Sequence, residues 1–115
     1  MKKILLILVL LLFSSVVFAQ KSPCKEDICV VQFNANWNAA NDVKWIDDLN
    51  DCGIQYIDIA TNTEAQSKYE IVVVPTIIIF NGKEVKRFQA DISFAMKATR
   101  KDVQEVIDEI LMSDF

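Results

Sequence analysis

Residues 72–85 read VVVPTIIIFNGKEV, and they give the clearest indication of the fold. The apolar run Thr76 to Phe80 is rich in β-branched residues, as is typical of a buried strand. Asn81-Gly82 follows at once, and this dipeptide is a strong signal for a tight β-hairpin. Glu84 to Phe88 therefore returns as an antiparallel strand. The stretch predicts a hairpin that the chain enters through a proline.

The rest of the chain alternates strand and helix patterns. Ile28 to Phe33 suits a strand buried on both faces, and Ile54 to Ile59 alternates as a second strand. Helices are predicted over residues 38–51, 63–69 and 99–112. The order β-α-β-α-β-β-α predicts an α/β domain with a four-stranded mixed sheet flanked by helices, whose first two strands are parallel.

Local signals support two of these helices. Asn38 is a favoured N-cap for the first, Asp42 lies in its first turn, and Gly53 is its expected stop. Its buried face is predicted from helical spacing as Val43, Ile46 and Leu49. Thr99 and Asp102 form the expected cap of the last helix, with an apolar stripe of Val103, Val106, Ile107, Ile110 and Leu111. The preceding segment 89–98, with Phe94 and Met96, is expected to pack on the core, with a contact surface as the alternative.

Residues 1–19 have the pattern of a secretory signal peptide. Lys2 and Lys3 precede the apolar run Ile4 to Phe13, and Val17-Phe18-Ala19 is a small-residue cleavage site. We expect cleavage before Gln20 and a single domain over 20–115; an uncleaved membrane anchor is the alternative, although a spanning helix needs about 20 apolar residues. Export is expected, with a bacterial periplasm favoured over secretion and no membrane association after cleavage.

Charge and composition exclude several function classes. Without Lys2 and Lys3 the chain has ten basic and sixteen acidic residues, a formal charge of −6. An acidic surface argues against nucleic acid and anionic membranes as partners. The sequence has no histidine, which excludes a Ser–His or Cys–His catalytic pair and removes the commonest metal ligand. No metal and no cofactor are expected.

Two segments of the sequence resemble the thioredoxin family. VVQFNANWNAAN, residues 30–41, is similar to the family's strand and active-site turn, and Trp37 matches the tryptophan before its Cys-x-x-Cys motif. VVVPTIIIFNGKEV is similar to its cis-proline segment and closing hairpin, with Pro75 as the cis-proline. The resemblance covers about residues 28–112 and implies the thioredoxin fold for the domain 20–115.

The same resemblance implies a degenerate site with no catalytic residues. The two cysteine positions hold Asn38 and Asn41, and Gln32 replaces the buried acid of the preceding strand. Thiol–disulfide exchange needs a thiolate, which an amide cannot supply. Asn38 is expected instead to accept hydrogen bonds from free backbone N–H groups at the helix start. The charge of Asp42 would also disfavour a nearby thiolate.

Three cysteines remain, namely Cys24, Cys29 and Cys52. A structural disulfide is expected between Cys29 and Cys52, with Cys24 as the alternative partner of either. Two more interpretations stay open: three thiols without a role, and a redox pair displaced from the family's position. Cys29 lies at the start of its strand, roughly 20 Å from Ala35 at the usual rise per residue. Both Cys29 and Cys52 are therefore expected at the pole of the sheet opposite Trp37.

Two function classes follow from the resemblance. In the family, the residue before the cis-proline pairs its backbone with an extended substrate peptide, and here that residue is Val74. We expect a non-catalytic binding or scaffold module for extended segments of other exported proteins, using Trp37, Val74, Pro75 and Thr76. The alternative is a thiol–disulfide oxidoreductase that uses Cys24, Cys29 or Cys52. It also stays open that Trp37 is only a packed turn residue and Pro75 a structural turn.

Overall fold

The computed structural model describes residues 21–113, so the expected signal peptide and cleavage site lie outside the described residues. Four strands form one sheet: β1 (Ile28–Asn34), β2 (Gly53–Asp58), β3 (Thr76–Asn81) and β4 (Lys83–Gln89). Two α-helices, α1 (Thr63–Lys68) and α2 (Arg100–Ser113), accompany them. Each predicted strand is confirmed to within one or two residues. No helix among residues 21–113 has the length and apolar character that crossing a bilayer requires.

The strands lie in the order β2-β1-β3-β4. β1 and β2 are parallel, with Cys29 opposite Gly53 and Asn34 opposite Asp58. β3 is antiparallel to both β1 and β4. Gly82 joins β3 to β4 with a φ of 77°, a left-handed conformation that glycine adopts without steric cost. The predicted mixed sheet and its closing hairpin are therefore confirmed.

The sheet separates two apolar clusters, because successive side chains of a strand point to opposite faces. Cys29, Val31 and Phe33 of β1 pack with Ala65 and with the segment that follows α1, including Tyr69 and Ile71. Ile28 and Val30 pack on the other face, together with the apolar side of α2, Val103, Ile107 and Ile110. Helical elements thus cover both faces, as predicted.

The first predicted helix, over residues 38–51, is wrong. In its place are two short 3₁₀ helices, Asn36–Asn41 and Lys44–Asp48, and Gly53 begins β2 instead of ending a helix. The physical reason is a competing hydrogen bond: the Val43 N–H donates to Oε1 of Gln32 in β1 at 2.7 Å and is lost to the helix. The predicted buried face is nevertheless present, since Val43, Ile46 and Leu49 are all buried.

The last helix follows its prediction closely. The Thr99 N–H donates to the Asp102 carboxylate at 2.8 Å, and the Asp102 N–H donates to the Thr99 hydroxyl at 3.2 Å. This reciprocal pair satisfies two backbone donors that the start of a helix leaves free. The segment before it divides: Met96 packs against the core, as expected, whereas Phe94 is half-exposed and contacts Trp37.

Candidate functional site

The turn after β1 presents an exposed tryptophan. Trp37 is 64% exposed, and its ring meets that of Phe94 edge to face, with centroids 5.5 Å apart. Phe94 has a φ of 63°, and its N–H donates to the carbonyl of Asp91 at 3.0 Å. Two segments that are distant in sequence therefore bring one aromatic pair together at the surface. The edge-to-face arrangement of the two rings is one that aromatic pairs prefer.

Asparagine side chains form a buried network beneath this turn. The Asn38 amide Nδ2 donates to Oδ1 of Asn34 at 3.1 Å, and Asn34 Nδ2 donates to the Asn38 carbonyl at 3.1 Å. Asn41 Nδ2 donates to Oδ1 of Asn38 at 2.8 Å, while Asn34 Nδ2 also donates to the Asp42 carboxylate. No buried side-chain nitrogen or oxygen in residues 21–113 lacks a hydrogen-bond partner. A fully satisfied network of this kind fixes the turn.

The predicted role of Asn38 as an N-cap is wrong. Ala35 occupies the N-cap of the first 3₁₀ helix, and no side chain caps it. The Asn38 side chain is turned inward instead, is only 6% exposed, and donates to the Phe94 carbonyl at 3.4 Å. Asp42 likewise follows this helix and does not lie in a first turn. The buried partner Asn34 explains the difference, since it offers Asn38 both a donor and an acceptor.

Gln32 holds the chain just beyond the turn. Its Nε2 donates to the Val43 carbonyl at 3.3 Å, in addition to the bond that Oε1 accepts from the Val43 N–H. The side chain is 3% exposed, so both polar ends of the amide are satisfied inside the protein. This residue is a structural link and has no ionisable group to offer.

The segment before β3 leaves backbone groups free. The Val74–Pro75 peptide bond is cis, the Thr76 hydroxyl donates to the Val73 carbonyl at 2.7 Å, and the Pro75 carbonyl accepts from the Ala90 N–H at 3.0 Å. By contrast, neither the N–H nor the carbonyl of Val74 bonds to any residue in 21–113. Val74, Pro75 and Thr76 are all buried, and of these three residues Val74 lines the groove described next.

A small groove lies between the two segments. It has a volume of about 120 Å³, and its walls are mostly apolar: Trp37, Ile59, Gln66, Ile71, Val72, Val73, Val74 and Phe94. Val72, 77% exposed, forms its outer edge. Trp37 and Val74, two of the residues predicted for binding, thus line one groove. Pro75 and Thr76 lie behind it.

A carboxylate lies next to residues of the groove without lining it: Asp58 precedes Ile59, and its side chain lines a separate cavity. Asp58 Oδ1 accepts from the Asn36 N–H at 3.3 Å, next to Trp37, and from the Ala60 N–H at 2.9 Å. Asp58 and Asp42 also act on Tyr56: burial raises the pKa of this phenol most, and the charges of the two carboxylates raise it further. Neither Asp42 nor Asp58 forms a salt bridge within residues 21–113.

The disulfide joins Cys24 to Cys29, and this corrects the expected Cys29–Cys52 pair. Cys29 packs in the cluster beside α1, whereas Cys52 packs against the cluster on the opposite face of the sheet. The sheet itself therefore separates them. Cys24 was the alternative partner, and its Cα lies 6.1 Å from that of Cys29, within the usual range for a disulfide.

Cys52 is the free cysteine of the described chain, and burial raises its pKa, with a smaller contribution from Asp51. Such a thiol is a poor nucleophile at neutral pH. Side-chain donor atoms of Cys24, Glu26 and Cys29 lie within 4.8 Å of one another, but a disulfide leaves neither sulfur as a thiolate ligand. The disulfide lies at the start of β1, whereas Trp37 lies beyond the end of the same strand.

Asn34 was not predicted as a residue of the site, and Phe94 was expected to pack on the core. Asn34 is fully buried and anchors the asparagine network, and its signal was a polar amide at the end of an apolar strand run. Phe94 forms a groove wall across a separation of 57 residues from Trp37. Nothing in the local sequence around Phe94 indicates this contact.

No family model and no curated protein matches this sequence. Solved structures do match. A mutant thioredoxin of Halobacterium salinarum is 20% identical, with a TM-score of 0.58 over 72% of this chain and 74% of that one. A Schistosoma mansoni thioredoxin is 24% identical, with a TM-score of 0.57 over 76% and 80%.

A third structure is thioredoxin-2 of a malaria parasite, described as a component of that parasite's protein secretion machinery. It is 17% identical, with a TM-score of 0.61 over 79% of this chain and 95% of that one. At these identities the likeness shows the fold alone. The chain has the thioredoxin fold.

Proposed function

We propose that this chain is an exported, non-catalytic module that binds extended segments of other exported proteins at the groove beside Trp37. One observation carries the proposal: the backbone groups of Val74 have no partner within residues 21–113, and they lie beside an exposed tryptophan. An unpaired backbone N–H and carbonyl are what an added strand pairs with.

The four predicted binding residues have different parts in this proposal. Val74 supplies its backbone, and Trp37 supplies apolar area that desolvates the paired segment. Pro75 and Thr76 shape the segment from behind, because the Thr76 hydroxyl and the Pro75 carbonyl tie it to Val73 and Ala90. Binding by this route needs no sulfur.

We further infer that Asn38 and Asn41 stand where catalytic relatives carry cysteines. Their amides are engaged with Asn34, with each other and with Phe94. An amide provides neither a nucleophile nor a leaving group for thiol–disulfide exchange. The network therefore supports the groove as a rigid frame, and redox turnover at this turn is not expected.

One observation favours the alternative of an oxidoreductase, namely the Cys24–Cys29 disulfide with Cys24 partly exposed. Its position argues for a structural role, since Cys29 is fully buried and lies at the start of β1, away from the groove. An insulin-reduction assay with dithiothreitol separates the two functions. We expect no turnover above the uncatalysed rate; turnover that is lost in Cys24→Ser would establish the alternative.

Fluorescence of Trp37 tests the binding proposal. The chain has two tryptophans, and Trp45→Phe leaves Trp37 as the sole reporter. The probe is a reduced and carbamidomethylated secreted protein, which stays unfolded and carries no added charge. We expect a saturable change in emission, because a bound segment removes water from the exposed indole ring.

Two variants complete this test. Trp37→Ala should weaken binding of the probe, measured by calorimetry, by at least tenfold, as expected for a central aromatic contact. Val85→Ala is the matched control, since Val85 is also an exposed apolar residue but lies on β4. Absence of binding by the unmodified chain, or equal losses in both variants, would contradict the proposal.

A further inference from the structure

We propose, resting on the binding function above, that the groove accepts one branched aliphatic side chain of the bound segment, and that positively charged residues flank it in that segment. The first part comes from the size and walls of the groove. The second comes from the charge beside it. Together they define the class of sequence that this chain selects.

The groove volume sets the size of the side chain. A protein cavity of about 150 Å³ lined by apolar residues holds one benzene ring. The groove measures about 120 Å³, so a side chain of valine, isoleucine or leucine fits better than an aromatic one. The lining also favours an aliphatic side chain, because Ile59, Ile71 and Val74 are buried apolar residues. Gln66 contributes the one side-chain amide of the lining.

Trp37 and Phe94 form the aromatic wall of the groove. Phe94 meets Trp37 edge to face at 5.5 Å, which narrows the space between the two rings. The backbone of Phe94 is tied to the turn by the Asn38 amide, at 3.4 Å from its carbonyl. The asparagine network therefore acts as the positioning element for the wall that selects by size.

The charge near the groove further restricts which segments are expected to bind. Asp58 adjoins both Ile59 and the turn that carries Trp37, and no cation pairs with it within residues 21–113. Arg87 pairs with Glu84, and Lys97 pairs with Asp91. Lys68 lines one cavity together with Asp58, but its Nζ lies over the Tyr69 ring, 5.3 Å from the centroid, and forms no salt bridge within residues 21–113. The chain expected after cleavage is acidic as well. Lysine or arginine in the bound segment is therefore complementary.

Blocked dodecapeptides in a Gly/Ser background test this selectivity. Each carries one central residue, Leu, Phe or Asp, flanked by two Lys or two Glu, and dissociation constants come from Trp37 fluorescence in the Trp45→Phe protein. We expect the Leu peptide to bind at least tenfold more tightly than the Asp peptide and more tightly than the Phe peptide. Lys flanks should bind at least threefold more tightly than Glu flanks at low salt, and less so at high salt.

Two variants assign these preferences to residues. Phe94→Ala opens the wall, so the ratio of Phe-peptide to Leu-peptide affinity should rise at least fivefold. Asp58→Asn should abolish the Lys-over-Glu preference and leave the Leu-over-Asp preference intact. Val85→Ala should change neither.

Failure of this inference is distinct from failure of the binding function. If the unfolded protein binds and the peptides bind without regard to the central residue, the inference is overturned and the function stands. Unchanged peptide ratios in Phe94→Ala and Asp58→Asn would also overturn it. If neither the unfolded protein nor any peptide binds, the binding function itself is contradicted, and the inference with it.

Discussion

The Gln32 side chain forms hydrogen bonds with both backbone groups of Val43: Oε1 accepts from the N–H at 2.7 Å, and Nε2 donates to the carbonyl at 3.3 Å. A residue in the central strand thereby takes the place of helical hydrogen bonds in the segment that follows the turn. This single relationship accounts for the break between the two 3₁₀ helices, and it places Val43 and Ile46 over the sheet.

Gln32→Glu should destabilise the protein in a pH-dependent way. A carboxylate at this buried position would face the Val43 carbonyl, and burial raises its pKa above the unfolded value of about 4.3. Because the folded pKa is raised, stability is highest below the unfolded pKa and falls as pH rises through the folded pKa. Urea unfolding at several pH values checks this.

Gln32→Leu is the companion to that variant. It should cost about 1–3 kcal/mol at every pH, because both Val43 groups lose their partners without any titrating group being added. Equal pH dependence of the two variants would contradict the account of this link.

Asn34→Ala should lower the free energy of unfolding by about 1–3 kcal/mol, because the Asn38 carbonyl loses its hydrogen bond from Asn34 and the Asn38 amide keeps only the 3.4 Å bond to Phe94 as a donor. Asn36→Ala is the matched control. Asn36 belongs to the same turn, but its side chain is exposed and makes no hydrogen bond within residues 21–113. Chemical denaturation of both variants should show a loss in the first and almost none in the second; similar losses would mean that the network contributes little.

Reduction of the Cys24–Cys29 disulfide should lower the free energy of unfolding by about 2 kcal/mol. This is the entropic stabilisation expected for a disulfide that closes so short a loop. Unfolding curves with and without dithiothreitol measure the difference. Cys52→Ser should show the same difference, since Cys52 takes no part in the bond. If the reductant destabilises the unmodified chain but has no effect on Cys52→Ser, then Cys52 is part of the bond and the pairing is incorrect.

Cysteines placed at the turn should be poor nucleophiles. The test uses one variant with three substitutions, Asn38→Cys, Asn41→Cys and Cys52→Ser. Its two new thiols lie at a 3₁₀ turn near the Asp42 carboxylate and not at the start of an α-helix. Their pKa should therefore exceed the ordinary value of about 8.5. The pH dependence of alkylation measures this.

Addition of Asp42→Asn to that variant should lower the thiol pKa, because it removes the nearest negative charge. A thiol pKa well below the ordinary value in the parent variant, together with insulin reduction, would instead show that the turn keeps the electrostatics of a redox site.

The strands and the last helix were predictable because their signals are local. Ile77, Ile78 and Ile79 are apolar and β-branched, Asn81-Gly82 specifies the hairpin, and Thr99 with Asp102 specifies a helix start. Each of these patterns favours one backbone conformation without help from distant residues. The parallel pairing of β1 and β2 then follows from connection rules.

The parts that sequence could not predict depend on distant partners. The segment 38–51, predicted as a helix, contains residues of low helix propensity at Asn41, Asp42 and Asp47. In addition, the Gln32 side chain of β1 accepts the hydrogen bond that the Val43 N–H would donate within a helix. The disulfide pairing depended on which face of the sheet each cysteine meets. The contact of Phe94 with Trp37 depended on a loop whose path has no local signature.

Amide hydrogen exchange at Val74, followed by NMR with and without a saturating Leu-centred, Lys-flanked peptide, is the direct test of strand pairing at the groove. Val74 has no backbone partner within residues 21–113, so its N–H should exchange rapidly in the free protein and at least tenfold more slowly in the complex, while Val85 on β4 stays unchanged. Peptide binding that leaves exchange at Val74 unaltered would contradict strand pairing at this segment.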